Sequence, residues 1–226
     1  RPEAVVRPSL TTSAWTDLKR GISYIAASRP INRLLMLVAA VSVFGTSYIV
    51  LLPVFVKVLF LGGPSLLGFL MAASGLGAFL GATTLAMRKS VFGLGKIVGF
   101  AGVGLSLSAF AFALSTHIGL SLFLIFLAGF SMIMMMAACN SLIQSLVADE
   151  MRGRVMSFYA MAFMGMMPFG SLMSGWLATH IGVRWTVAST SVICCLFALL
   201  FLKNLPALRK EGTAMLAAKG ILAPEA

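Results

Sequence analysis

Acid–base chemistry has few residues to work with in this chain. All six acidic residues, Glu3, Asp17, Asp149, Glu150, Glu211 and Glu225, fall outside its six long apolar stretches, and so do both histidines, His117 and His180. Proton relays in pumps are built from Asp, Glu or His within the bilayer, so a proton-coupled reaction would need its titrating group elsewhere. Ser131, two residues after Gly129, is a candidate nucleophile, but it lies about 12 residues, or ~18 Å, deep along its helix, whereas both histidines sit in outer loops. A nucleophile and base that cannot meet argue against a hydrolase. Met132, Met136 and Cys139 recur at i, i+4 and i+7, a sulfur stripe suited to a soft ion such as Cu(I). Among 15 methionines, with Met134 and Met135 pointing elsewhere, the stripe reads instead as adaptable apolar filler. Cys139, Cys194 and Cys195 all sit inside apolar stretches and carry neither zinc spacing nor a disulfide framework. No metal and no cofactor is expected, and no enzyme.

The remaining intramembrane polar groups are neutral. Thr46, Ser47 and Tyr48, preceded by Ser42, share one stretch; Ser74, the pair Asn140 and Gln144, and Tyr159 lie in others. All of these but Ser42 are the candidate lining of a substrate path. An amide exposed to lipid costs several kcal/mol, so Asn140 and Gln144, four apart on one helical face, should point into a helix bundle. Interhelical hydrogen bonding and substrate contact are both open to them, and Tyr48 and Tyr159 can equally be core aromatics with satisfied hydroxyls. The densest charged motif is Asp149, Glu150, Met151, Arg152, Gly153 and Arg154. Either acid can cap a helix start and favour its macrodipole, while the arginines can reach phosphates or a carboxylate on a neighbouring helix. A topology anchor would need only the arginines; the mixed signs suggest a gate whose ion pairs form in one state and break in another.

The elements that must position these groups are transmembrane helices. The apolar stretches run over about 34–56, 66–86, 97–114, 119–141, 155–178 and 186–202. Each is close to the ~20 residues that cross a ~30 Å hydrocarbon layer at 1.5 Å per residue. Lys and Arg fall into alternate gaps: six precede the first stretch, three follow the second, two the fourth and four the sixth, while the other gaps hold only Lys57 and Arg184. Fifteen basic residues against two put both termini on the cytoplasmic side. A composition 60% hydrophobic and 10% charged, with mean hydropathy +1.02, lies outside the range of a soluble domain. The net charge of +11 is confined to one membrane face, so anionic lipid headgroups are the expected partner and nucleic acid is not.

Residues 1–33 read as a cytoplasmic linker. They open at Arg1, not Met, and are too charged for a signal peptide, so a fragment or processed chain is expected. Trp15, Leu18, Ile22 and Ile25 recur at helical spacing opposite Asp17, Lys19 and Arg20, an amphipathic helix for the membrane interface, which Pro30 ends. Residues 203–226 are expected to fray. Gly77 and Gly81, four apart in the second stretch, let two backbones approach closely in lipid, where packing drives association. In the fifth, a kink is expected at Pro168, with tight packing below it through Gly170 and Gly175. Static packing and a sliding interface are both open to these small residues.

The order of these features resembles the C-terminal half of a major facilitator superfamily transporter, in the branch of siderophore and macrolide exporters that includes enterobactin exporters. The likeness spans about residues 14–204. It begins at Asp17, Leu18, Lys19, Arg20, Gly21, Ile22, Ser23 and Tyr24, and continues through Leu52, Pro53, Val54 and Phe55 and the glycine-rich segment from 68 to 81. It is clearest at 149–157 and at Pro168, Phe169, Gly170, Ser171 and Leu172 through to Gly175. The resemblance implies six spans equivalent to the seventh to twelfth helices of a twelve-helix fold, packed as two inverted three-helix repeats. By the same likeness, the first, second, fourth and fifth spans contribute to a central cavity and the third and sixth face lipid. Arg88, Lys89 and Lys96 form a loop answering a basic loop of the other half, although the family's fuller Gly-x-x-x-Asp-Arg pattern is degraded here. Arg88, Lys89, Asp149, Glu150, Arg152 and Arg154 are thus the gate candidates.

The sequence therefore predicts an all-α membrane protein, half of a twelve-helix fold, with a missing N-terminal six-helix half as partner. Its expected function is secondary active efflux of a small amphipathic molecule, such as a siderophore or drug, by alternating access in a bacterial inner membrane. The alternative is a six-span scaffold or subunit without transport of its own. Short loops argue against an ATP-driven permease, which needs a docking surface for a nucleotide-binding subunit.

Overall fold

A computed structural model describes residues 14–218 apart from Lys89 and Val91; the side chains at 14, 15, 17 and 214–218 also lie outside the description. The gate candidate Lys89, the side chains of Trp15 and Asp17, and the end of the tail are therefore outside the described residues. Those residues are helical but for short connecting loops, with no strand among them. Six helices are long and apolar enough to cross a membrane: Arg29–Val58, Pro64–Ala86, Leu94–Leu114, Ile118–Leu146, Asp149–Ile181 and Val183–Thr213. They are called the first to sixth spans below. An all-α, six-span membrane protein is thus the observed class.

Every span outruns its apolar stretch or matches it, because helix continues into the polar flanks. The first starts at Arg29, with Pro30 in its opening turn, where a missing N–H costs nothing. Proline here opens a helix after the break at Ser28, and Ile31 and Leu34 already belong to the core. At the other end, a frayed tail is expected beyond Lys203, but helix runs on through Pro206 to Ala218. Tertiary packing overrides the proline: Leu205 lies against Gly95, Leu146 against Gly212, and Glu211 pairs with Arg29 at 3.5 Å.

The fourth span is the centre of the bundle, with the second and third on either side and the sixth on the far side of the third. Its contact with the second is backbone on backbone. A Cβ on Gly77 would overlap the Phe126 carbonyl oxygen, one on Gly129 would overlap that of Ser74, and one on Gly81 would sit 2.6 Å from that of Phe130. Real Cβ atoms essentially never come so close, so these positions require glycine. Gly68 and Gly75, on the same span, meet nothing within 4 Å. Larger side chains close the rest: Phe55 of the first span packs on Phe112 of the third with ring centroids 4.8 Å apart, and Phe44 stacks on Phe197 of the sixth at 6.3 Å.

Two spans are broken. The first turns as a wide π turn over Val41–Gly45 before Ser47–Val50 and Leu52–Val58, and the fifth does the same over Met161–Gly165 before Met167–Ile181. The kink expected at Pro168 is therefore a π turn just before it, and the matching break in the first span has no counterpart in the expectations. A proline follows each break, Pro53 and Pro168, removing an N–H that a regular helix would use.

Candidate transport path

The two π turns face each other, and the polar groups at their crossing are buried. A π turn frees main-chain carbonyls, and no lipid can supply them with a donor. Hydroxyls do so. Thr46 Oγ1 donates to the Ser42 carbonyl at 2.8 Å, and Ser42 Oγ donates across to the Phe163 carbonyl of the fifth span. One turn further on, Ser47 Oγ and Ser174 Oγ lie 2.7 Å apart. The backbones touch here because Gly170 has no side chain: a Cβ would stand 2.6 Å from the Val43 carbonyl oxygen. Gly175, by contrast, meets nothing within 4 Å, so the close approach expected below Pro168 is made at Gly170 and Ser174 and not at Gly175.

Thr46, Ser47 and Tyr48 are shut inside the bundle, the first two bonded to the Ser42 carbonyl and to Ser174. Tyr48 is 1% exposed and its hydroxyl makes no hydrogen bond; Ser74 of the second span is the polar side chain facing it. Asn140 and Gln144 differ from expectation. Gln144 Nε2 donates to Asn140 Oδ1 at 2.6 Å, and the pair lies on the outer face of the fourth span, with Asn140 half-buried and Gln144 exposed. Each amide satisfies part of the other, which removes the need to turn both inward. Tyr159, half-buried, donates to the Met136 carbonyl at 3.0 Å, one turn before Asn140 on that span. The candidates thus fall into a closed seam between the first, second and fifth spans, the Asn140–Gln144 pair on the outer face of the fourth, and Tyr159, which ties the fifth span to the fourth at Met136. Ser42 and Ser174 belong to the seam but not to the predicted candidates. Their signal was the hydroxyl four residues before Thr46 and the Gly170 to Ser174 spacing.

At the basic end, Asp149 and Glu150 occupy the first turn of the fifth span without capping it. Ala148 is the N-cap, and its N–H is taken by the Tyr24 hydroxyl at 3.2 Å. The capping expected of the acids is therefore supplied by the amphipathic helix Ala14–Ala27, whose Gly21 lies against the Phe158 ring. Leu18 and Ile25 are half-buried, while Ile22 is 51% exposed, so the helix touches the bundle by Gly21 and Tyr24 more than by its apolar stripe. Asp149 pairs with Arg152 within the turn, both largely exposed. Arg154 reaches Met151 Sδ at 3.4 Å, and Arg88 donates to the Phe92 carbonyl at 2.8 Å, closing its own loop around the left-handed Gly93.

An all-helical bundle of six apolar spans, two of them broken and cross-linked by hydroxyls, defines a multi-pass membrane protein. The chain matches the family model described as transmembrane secretion effector (MFS_3) over residues 1–224, and so belongs to that family of major facilitator-type transporters with an efflux role. No curated protein and no solved structure matches it.

Proposed function

We propose that this chain is the C-terminal six-helix half of an alternating-access exporter whose substrate is a small amphipathic molecule, a siderophore or drug. The observation that carries the reading is uneven cover. In the apolar windows of the second and fifth spans only 17% and 11% of residues are buried, against 44 to 67% in the other four. The bare faces are large and apolar, with Phe69, Leu76 and Phe79 on one and Met164, Leu172 and Trp176 on the other. Two such bare faces suit a second helical half with a cavity at the join, and flexible methionines suit a substrate of variable shape. Asn140, Gln144 and Tyr159 would be its polar contacts. The basic partition supports cytoplasmic termini in a bacterial inner membrane, with anionic lipids as surrounding partners.

The test is efflux by the full reading frame in cells lacking their own exporters, with a catecholate siderophore and a macrolide as probes, beside the 226-residue chain alone. Export by the longer protein and none by the chain supports the proposal. Export of neither probe by the longer protein, or transport by the chain alone, refutes it.

A further inference from the structure

A large cavity among the described residues lies away from the candidate path, at the basic end. It measures about 1150 Å³ and is enclosed by the loop into the third span, the ends of the fourth and sixth spans and the start of the first. That volume exceeds the ~300–1,000 Å³ of ordinary small-molecule sites. Its floor is apolar, with Leu34, Leu146 and Phe201 buried, and Phe92 and Phe100, which also line it, are 54% and 65% exposed, so that side is open. Two cations stand on its walls, Lys96 and Arg209, and neither is in an ion pair among the described residues. Glu211, two residues past Arg209, is already held by Arg29. Ser90 adds a hydroxyl to the lining, while that of Thr213 donates to the Arg209 carbonyl at 2.8 Å. Gly95 and Pro206 shape the space: glycine leaves room against Leu205, and proline removes the N–H that would bond the Leu202 carbonyl in a regular helix.

We propose that this cavity holds the headgroup and upper acyl chains of one anionic phospholipid from the leaflet on the basic side. The charge pattern selects the occupant. A phosphodiester is held by the two cations and the Ser90 hydroxyl, while an apolar floor open toward the bilayer accepts chains and excludes a hydrated ion. The secreted substrate has no claim on the site, since the cavity does not touch the bare faces of the second and fifth spans. A basic group close to an anionic headgroup contributes about fivefold in affinity, so removing both lowers it about 25-fold.

The probe is an equimolar mixture of phosphatidylglycerol and phosphatidylcholine with identical acyl chains, added to the detergent-purified protein and read by native mass spectrometry. One phosphatidylglycerol per chain should be retained in preference. Lys96→Gln with Arg209→Gln should cut that retention about 25-fold and leave phosphatidylcholine adducts unchanged. Lys96→Arg with Arg209→Lys should preserve it, separating charge from any folding defect. Equal retention of the two lipids, or a doubly neutralised variant that binds phosphatidylglycerol like the parent, overturns the proposal. So does displacement by glycerol phosphate at equal concentration, which would make this a site for a free anion.

Discussion

Replacing Gly77 by Ala, with Gly75→Ala as its control, tests the backbone seam at the heart of the bundle. The two glycines lie two residues apart on the second span, and both substitutions gain the same ~0.8–1 kcal/mol of helix propensity, so that gain cancels in their difference. What differs is space: a methyl at 75 meets nothing within 4 Å, whereas one at 77 overlaps the Phe126 carbonyl, a backbone atom that no rotamer change can move. The spans must part, and overpacking of this kind costs about 1–3 kcal/mol. For a chain of this length that is a gap of very roughly 2–12 °C between the two melting temperatures. Gly129→Ala, which strikes the Ser74 carbonyl from the opposite side, should cost a similar amount. Combined with Gly77→Ala it should cost less than the sum, because one separation of the spans relieves both clashes. The readout is thermal unfolding of the purified protein in one detergent, followed by tryptophan fluorescence. Equal melting temperatures for the 75 and 77 variants, or strict additivity of 77 with 129, would refute the seam.

Tyr48→Phe removes a buried hydroxyl that has no hydrogen bond, so stability should rise by about 1 kcal/mol; a fall in the same melting assay would mean that the hydroxyl is bonded. Tyr24→Phe strips the acceptor from the Ala148 N–H and should release the amphipathic helix, seen as faster proteolysis near Ser28, and an unchanged cleavage rate counts against that latch. In a background without Cys139, Cys194 and Cys195, cysteine at Gly63 should react with an impermeant thiol reagent from outside and cysteine at Ser90 should not; the reverse pattern inverts the proposed topology. The Asp149–Arg152 pair lies within one helical turn and is present whichever way the spans move, so Asp149→Asn should leave both insertion and the inward-open to outward-open ratio of the full transporter unchanged; a severalfold shift would show that Asp149 pairs with another helix in one state. Accessibility of Ser145 reads that ratio, and no change makes the cluster a topology anchor.

Span number and class were legible because they depend on summed apolarity, which is a property of composition along the chain. Gly77 and Gly81 were legible as close-approach positions because spacing on a helix fixes which residues share a face. Their partner was not, since nothing in the second span names Phe126 or Phe130. Asn140 and Gln144 were misplaced for a different reason: the cost of a lone amide in lipid was applied to each, and the bond between them offsets part of it. The capping of the fifth span went the same way. Asp149 fits a cap by type, but a tyrosine more than a hundred residues earlier takes the Ala148 N–H, and no local pattern carries that information. Residues 203–218 were lost to Pro206, whose local penalty is outweighed by Leu205 and Leu208 packing on the bundle.

The two π turns also set an angular phase. Each inserts the equivalent of one residue into an α-helix, and one residue is a rotation of about 100°. In the first span this rotation is what aims Ser47 at Ser174, and with it Tyr48 into the core. Deleting one residue from 41–45 would leave a straight, equally apolar helix of nearly the same length, still able to insert. Everything beyond it would face a quarter-turn and more away from its partners, so the hydroxyls of the seam would point at carbons and the apolar side chains at hydroxyls. In this protein a single-residue deletion is therefore a change of address for a dozen side chains, while most substitutions in the same stretch would alter only one.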